Sequence, residues 1–195
     1  MVLSTLSLLR KIPLILKGDY EAYFTKEFTG SEIKSQTFGT IGLGNIGLAV
    51  AQKVNSLGTK VKYWSASIKD TNFESASLKE IFSGCDIIVP CLAQNEQTKN
   101  IITDDLINSM NEDSIFVSVI HHFYNHSLLL DLVKNKKIAG YGFEENDKKL
   151  FEFIGNIWVT PEYACFTKES LQNLDDALFE NLLAWQNSQY PNQVN

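Results

Sequence analysis

Cysteine is scarce. The 195 residues hold three, Cys85, Cys91 and Cys165, an odd number too small and too scattered for a disulfide framework, so a reducing, cytoplasmic compartment is expected. Positive charge is also short. Seventeen Lys and Arg stand against 23 Asp and Glu, a net charge of −6, which argues against a broad basic face and against nucleic acid as a partner. Long apolar runs are missing too. The most hydrophobic stretch, Val2–Leu16, is shorter than the ~20 residues a bilayer requires and carries Arg10 and Lys11 in its middle. No basic residues precede it and no small-residue cleavage site follows, so neither a leader nor a membrane segment is expected. It reads as an amphipathic helix that its polar breaks and Pro13 bend or end. No internal repeat or low-complexity tract occurs.

What is present is an ordinary globular balance, 44% hydrophobic and 21% charged, which excludes wholesale disorder and coiled coil. At ~150 residues per domain the length suggests one domain with a short appendage.

From Thr37 onward, short β-like runs alternate with helical stretches. Strands are predicted at Thr37–Leu43, Lys60–Trp64, Asp86–Val89, Ser114–Ile120, Ile138–Phe143 and Ile157–Thr160. Helices are predicted at Asn45–Leu57, Leu78–Phe82, Thr103–Met110, Ser127–Asn135 and from Lys168 to about Gln189, the last with Leu171, Leu174, Leu178, Leu182 and Trp185 on one stripe. Such alternation demands a parallel, doubly wound sheet.

Gly42-Leu43-Gly44-Asn45-Ile46-Gly47 matches G-x-G-x-x-G in its confirming context, with a strand before it and an amphipathic helix after it. Gly42 permits a sharp turn, Gly44 lets a diphosphate approach the backbone, and Gly47 lets helix and strand pack closely. The helix N-terminus, at Asn45 and Ile46, offers N–H groups to the anion. The expectation is therefore a Rossmann-type sheet in three α/β/α layers that binds NAD or NADP. Its organisation is an N-terminal helical arm and linker over 1–36, the dinucleotide-binding domain over 37–167, and a C-terminal helix and tail over 168–195. At the end of the second strand, where an acidic residue usually holds the ribose of NAD, the chain reads Tyr63-Trp64-Ser65-Ala66-Ser67-Ile68-Lys69. Ser65 can hydrogen-bond a ribose and Lys69 can meet a 2′-phosphate, a pattern that favours NADP over NAD.

From about Leu3 to Thr167 the sequence resembles the cofactor-binding domain of the D-isomer-specific 2-hydroxyacid dehydrogenases. The resemblance rests on Leu9-Arg10-Lys11-Ile12-Pro13, Gly30-Ser31-Glu32-Ile33, the glycine loop, Asp86-Ile87-Ile88-Val89 followed by Gln97-Thr98-Lys99-Asn100-Ile101-Ile102, Ile138-Ala139-Gly140-Tyr141, and Thr160-Pro161. It implies that Cys91, Leu92, Ala93, Thr98, Ser118, Val119, Ile120 and Glu144 line the rest of the dinucleotide site, that the substrate is a small 2-keto or 2-hydroxy acid, and that the protein is a homodimer with Tyr20–Phe24 in its arm. Two departures stand out. The family's substrate-clamping arginine aligns with His121 and its general-acid histidine with Glu162, while the Glu-Pro pair that would support the acid is absent near Asp147–Lys149. The family's substrate-binding domain also has no counterpart in the chain. His121 lacks the fork and permanent charge of a guanidinium, and Glu162 needs burial to act as an acid. Loss of catalysis is the expectation, with a non-catalytic interaction protein or one half of a split dehydrogenase as alternatives. If catalysis persists, His121 binds substrate and Glu162 is the acid.

His122 and His126 have the i,i+4 spacing of metal ligands, but no carboxylate or thiolate completes a set, so no metal is expected. Cys91 reads as a small buried hydrophobe, and a Cys165–His121 nucleophile lacks an orienting third group.

Overall fold

The computed structural model describes residues 1–18, 24–67, 71–120, 123–146 and 155–189. Helices α1 (Val2–Leu9) and α2 (Ile12–Lys17) precede β1 (Thr37–Ile41), α3 (Asn45–Ser56), β2 (Lys60–Trp64), β3 (Glu74–Ser75) and α4 (Leu78–Gly84). There follow β4 (Ile87–Pro90), α5 (Asp104–Asn108), β5 (Ile115–Val117), α6 (His126–Lys134), β6 (Gly140–Glu144), β7 (Ile157–Thr160) and α7 (Lys168–Gln186). The strands form one parallel sheet in the order β3-β2-β1-β4-β5-β6-β7.

Alternation along each strand sends neighbouring side chains to opposite faces. Phe38, Val61, Ile87, Val89, Ile115 and Val117 pack with Leu8 and Leu9 of α1 and with Val50, Ala51 and Val54 of α3. Ile41, Ile88, Phe116, Tyr141 and Phe143 pack on the other face with α4, α5 and α6 through Ile81, Phe82, Ile107, Leu129 and Val133. With both faces covered, a strand such as β4 must be apolar at every position, which is why these strands read as unbroken hydrophobic runs. Each fully buried Ile, Val or Phe contributes about 1.5–3 kcal/mol. On β6, Gly140 and Gly142 leave room for Leu8 of α1, whose methyls would stand 3.1 Å from a Cβ at either position.

The predicted three-layer α/β/α architecture is present, with differences at the edges of elements. Among the described residues the sheet has seven strands rather than six. The addition, β3, is two polar residues with no hydrophobic signal, joined to β2 by the Lys62–Glu74 ion pair at 2.8 Å. The N-terminal helix breaks at Lys11, whose φ of 56° is left-handed, and Pro13 lies in the first turn of α2, where its missing N–H costs nothing. Pro13 therefore helps to open a helix instead of ending one. β1 stops at Ile41 because Gly42 turns the chain at φ 98°. β5 stops at Val117, short of the predicted Ile120, because the Ser118 hydroxyl closes a local turn. Its Oγ donates to the Ile120 carbonyl at 2.8 Å and accepts from the Ile120 N–H at 3.0 Å. Helix α5 is shorter than predicted, since Thr103 is its cap, accepting from the Leu106 N–H at 3.3 Å.

Residues 1–162 and 163–195 form two compact units. The second consists chiefly of α7, capped by the Thr167 hydroxyl, which accepts from the Ser170 N–H at 3.1 Å. It ends at Gln186 rather than near Gln189, followed by Ser188 at φ 56°.

Candidate dinucleotide site

The strand order reverses at β1, which pairs with β2 on one side and β4 on the other. Chains leaving β1 and β4 diverge to opposite faces and open a crevice outside the strands' C-terminal ends. Backbone hydrogen bonds tie the three strand ends together. The Gly42 N–H donates to the Trp64 carbonyl at 2.8 Å, and the Cys91 N–H to the Ile41 carbonyl at 2.7 Å. Between them lies a cleft of about 470 Å³.

Three glycines shape its floor, for different reasons. Gly42 holds its left-handed φ while the Thr40 hydroxyl donates to its carbonyl at 3.0 Å. A Cβ on Gly47 would run into the Gly42 carbonyl oxygen, so α3 can rise this close to β1 only with glycine there. Gly44 caps α3 with no side chain of its own, and a Cβ there would meet nothing within 4 Å. The first N–H groups of α3 have no acceptor within the helix, and with the helix dipole they make a seat for an anion.

The cleft is lined by Gly42, Gly44, Asn45 and Ile46, by Ser65 after β2, by Cys91, Leu92 and Ala93 after β4, by Thr98, and by Val119 and Ile120 after β5. Thr98 holds its own loop closed, its hydroxyl donating to the Ala93 carbonyl at 2.6 Å while Asn95 Oδ1 accepts from the Gln97 and Thr98 N–H groups. Among the described residues that line the cleft there is no Asp or Glu.

The remaining expected residues lie elsewhere. Gly47 sits under the loop, Ser118 is buried in the turn beneath Val119, and Glu144 is 8% exposed at the end of β6. Glu162 is exposed, with its N–H directed at Asn146 Oδ1 at 3.5 Å. His121, Lys69, Tyr20–Tyr23 and Asp147–Lys149 lie outside the described residues.

Residues 2–161 match the family model described as "D-isomer specific 2-hydroxyacid dehydrogenase, NAD binding domain". The chain belongs to this family. The Bacillus subtilis protein named "Putative 2-hydroxyacid dehydrogenase YoaD" is 32% identical over 162 residues, covering 78% of this chain and 47% of that protein. A glyoxylate reductase of Thermococcus kodakarensis is 25% identical over 182 residues, covering 87% and 54%. The chain thus spans about half the length of these relatives. Among solved structures, the NAD-complexed D-isomer specific 2-hydroxyacid dehydrogenase of Lactobacillus delbrueckii ssp. bulgaricus superposes with a TM-score of 0.89 at 22% identity, over 100% of this chain and 67% of that one. An acyclic imino acid reductase in complex with NADPH and D-Arg gives a TM-score of 0.85 at 24% identity, over 98% and 64%. At these identities the likeness shows the fold. The family match makes this a domain that binds a nicotinamide dinucleotide.

The walls of the domain's cleft include residues that motif reading passed over. Met1 reaches it from α1, placing its Sδ 3.8 Å from Cys91 Sγ. Burial pushes the Cys91 thiol up to about 11, so it faces the cleft uncharged. Trp64, Gln97 and Ile101 also line it. Gln97 and Ile101 fall within the motif that carries Thr98, and Trp64 precedes Ser65, so proximity was the available signal. Nothing in the sequence links Met1 to Cys91. Cys165 is exposed in the second unit. Among the described residues no three His, Cys, Asp or Glu groups could hold a metal ion, and no helix is long and apolar enough to cross a membrane.

Proposed function

We propose that the cleft takes NADP(H) in preference to NAD(H), with the diphosphate on Gly42–Gly47, the adenosine ribose at Ser65, and Cys91–Ala93, Thr98, Val119 and Ile120 along the rest. One observation carries this: β2 ends at Trp64 and runs into Ser65-Ala66, and among the described residues that line the cleft there is no carboxylate. A ribose-binding carboxylate repels a 2′-phosphate, and its absence removes the discrimination against NADP. Parallel calorimetric titrations with NADPH and NADH test the reading. NADPH binds more tightly to the native domain, and Ser65→Asp shifts preference towards NADH; tighter NADH binding by the unaltered protein would refute it.

Catalysis by the domain alone is not part of the proposal. Glu162, at the position of the family's general acid, is exposed and is not among the residues lining the cleft. With His121 in place of a guanidinium fork, loss of both parts lowers the rate by orders of magnitude. Glyoxylate, hydroxypyruvate and pyruvate should show no NADPH oxidation above the uncatalysed rate. Turnover with any of them would restore the reading in which His121 binds a 2-keto acid and Glu162 protonates it.

A second reading, a domain that works by association as a homodimer or beside a separately encoded substrate lobe, draws on α7. A unit built from one helix cannot bury Leu171, Leu174, Leu178, Leu182 and Trp185 within itself. Sedimentation of the native protein and of a Leu174→Glu, Leu178→Glu variant tests it. A faster native species that the variant loses supports association through this face.

A further inference from the structure

Beneath the Val119–Ile120 wall lies a group of polar side chains that neither the motif nor the proposed cofactor contacts employ. β5 delivers the chain to Ser118, whose N–H donates to the Gly142 carbonyl at 2.8 Å and whose hydroxyl closes the turn onto Ile120. The chain re-enters the core at Phe123 and Tyr124 before Asn125 caps α6. The Tyr124 hydroxyl lies 3.0 Å from the Tyr141 hydroxyl, which lies 2.8 Å from Nδ1 of His126. Both flanks of the Val119–Ile120 wall are thus tied to β6, Ser118 by its N–H to the Gly142 carbonyl and Tyr124 by its hydroxyl to that of Tyr141, which continues to the first residue of α6. Aromatic rings hold the chain in place. Tyr124 packs edge-on against Phe116 at 5.0 Å, Tyr141 stacks on Phe143 at 4.5 Å, and His126 meets Phe143 at 4.6 Å. On the solvent side, Asn125 Nδ2 donates to Asp104 Oδ2 at 3.0 Å, fastening the same loop to α5.

The surroundings are otherwise apolar, with Phe82, Phe116, Leu129 and Phe143 in the same cluster. Paired buried hydroxyls stabilise a fold little better than apolar groups of the same shape. What they add is direction, because a hydrogen bond fixes one position where apolar packing tolerates several. Burial drives Tyr124 up to about 12 and Tyr141 well above its ordinary value, so both hydroxyls stay protonated at working pH.

We infer that Tyr124, Tyr141 and His126 are positioning residues that set the Val119–Ile120 wall of the cleft and thereby the fit of the nicotinamide half of the dinucleotide. The inference rests on the proposed cofactor orientation. Tyr124→Phe and Tyr141→Phe keep the rings and remove the hydroxyls. Three measurements are made on the native protein and both variants: thermal stability, amide hydrogen exchange, and binding of NADPH and of adenosine 2′,5′-bisphosphate, which lacks the nicotinamide half. Losing one hydrogen bond should weaken NADPH roughly fivefold, leave the bisphosphate unchanged, and speed exchange at Val119 and Ile120 but not in α3. Equal weakening of both ligands with faster exchange everywhere would show a merely structural role and overturn the inference. So would unchanged NADPH binding with unchanged exchange. A native protein that binds neither ligand would overturn the cofactor reading instead, while exchange at Val119 and Ile120 would still decide whether the hydroxyls hold the wall.

Discussion

Replacing Gly44 by alanine separates folding from binding. Its backbone, at φ −79° and ψ −165°, is extended and open to any residue, and a Cβ would meet no atom within 4 Å. Two small effects oppose each other in the stability. Alanine reduces the freedom of the unfolded chain, a gain of about 0.4–1 kcal/mol, but is a poorer helix cap than glycine by a comparable amount. The net change stays within about 1 kcal/mol. Binding has no such compensation. The methyl would stand where a diphosphate must approach the first N–H groups of α3, and losing one charge-assisted hydrogen bond costs about 1.5–3 kcal/mol. That corresponds to roughly 10- to 150-fold in dissociation constant. Calorimetric titration with NADPH, beside urea unfolding of both proteins, reads the two quantities independently. Native-like affinity in Gly44→Ala would refute the seat for the diphosphate. A loss of stability well beyond 1 kcal/mol would refute the open space.

Other outcomes follow from the same geometry. Gly47→Ala should do the reverse and destabilise the fold by about 1–3 kcal/mol in urea unfolding, because its Cβ meets the Gly42 backbone carbonyl, which cannot swing away. A disulfide-exchange reagent at pH 8 should label Cys165, which is exposed, fastest; Cys91, which faces the cleft with its thiol pushed up to about 11, should react far more slowly, and Cys85, fully buried and also pushed up to about 11, only after unfolding; mass spectrometry of the labelled peptides reads this directly. Ser77 caps α4, so Ser77→Ala should cost about 1 kcal/mol in thermal or urea unfolding. The Glu80 carboxylate in that capping box accepts from the Ser77 hydroxyl and N–H, which hold it below the usual carboxylate range. Its contribution is present above the unfolded glutamate pKa and lost as pH falls through the lower folded value, so the Ser77→Ala difference should shrink in acid.

The glycine loop and the helix beginning at Asn45 were legible in the sequence because glycine at Gly42 and Gly47 answers backbone demands that few neighbours can alter. Buried strands such as β4 were legible because both faces are covered and every position is apolar. β3 was not, since two polar residues are ordered by pairing with β2 and carry no pattern of their own. The Ser114–Ile120 run looked like one strand because all its residues suit a strand, and the competing hydroxyl turn at Ser118 depends on a single side chain. Within the cleft, the Ser65 position follows from the end of β2, whereas Met1 beside Cys91 and the chain from Tyr124 through Tyr141 to His126 join residues that only the folded sheet brings together.

The smallest strand bears on how copies of this domain meet. An open sheet edge offers unpaired N–H and C=O groups to any passing chain, and long, flat, apolar edges invite stacking into continuous sheets. Here the rim beside β2 is only two residues long and carries the Lys62–Glu74 pair on its flank. Such a rim gives a neighbouring polypeptide almost no ladder to extend, so association of this domain should proceed through helical surfaces rather than by growth of the sheet at this edge.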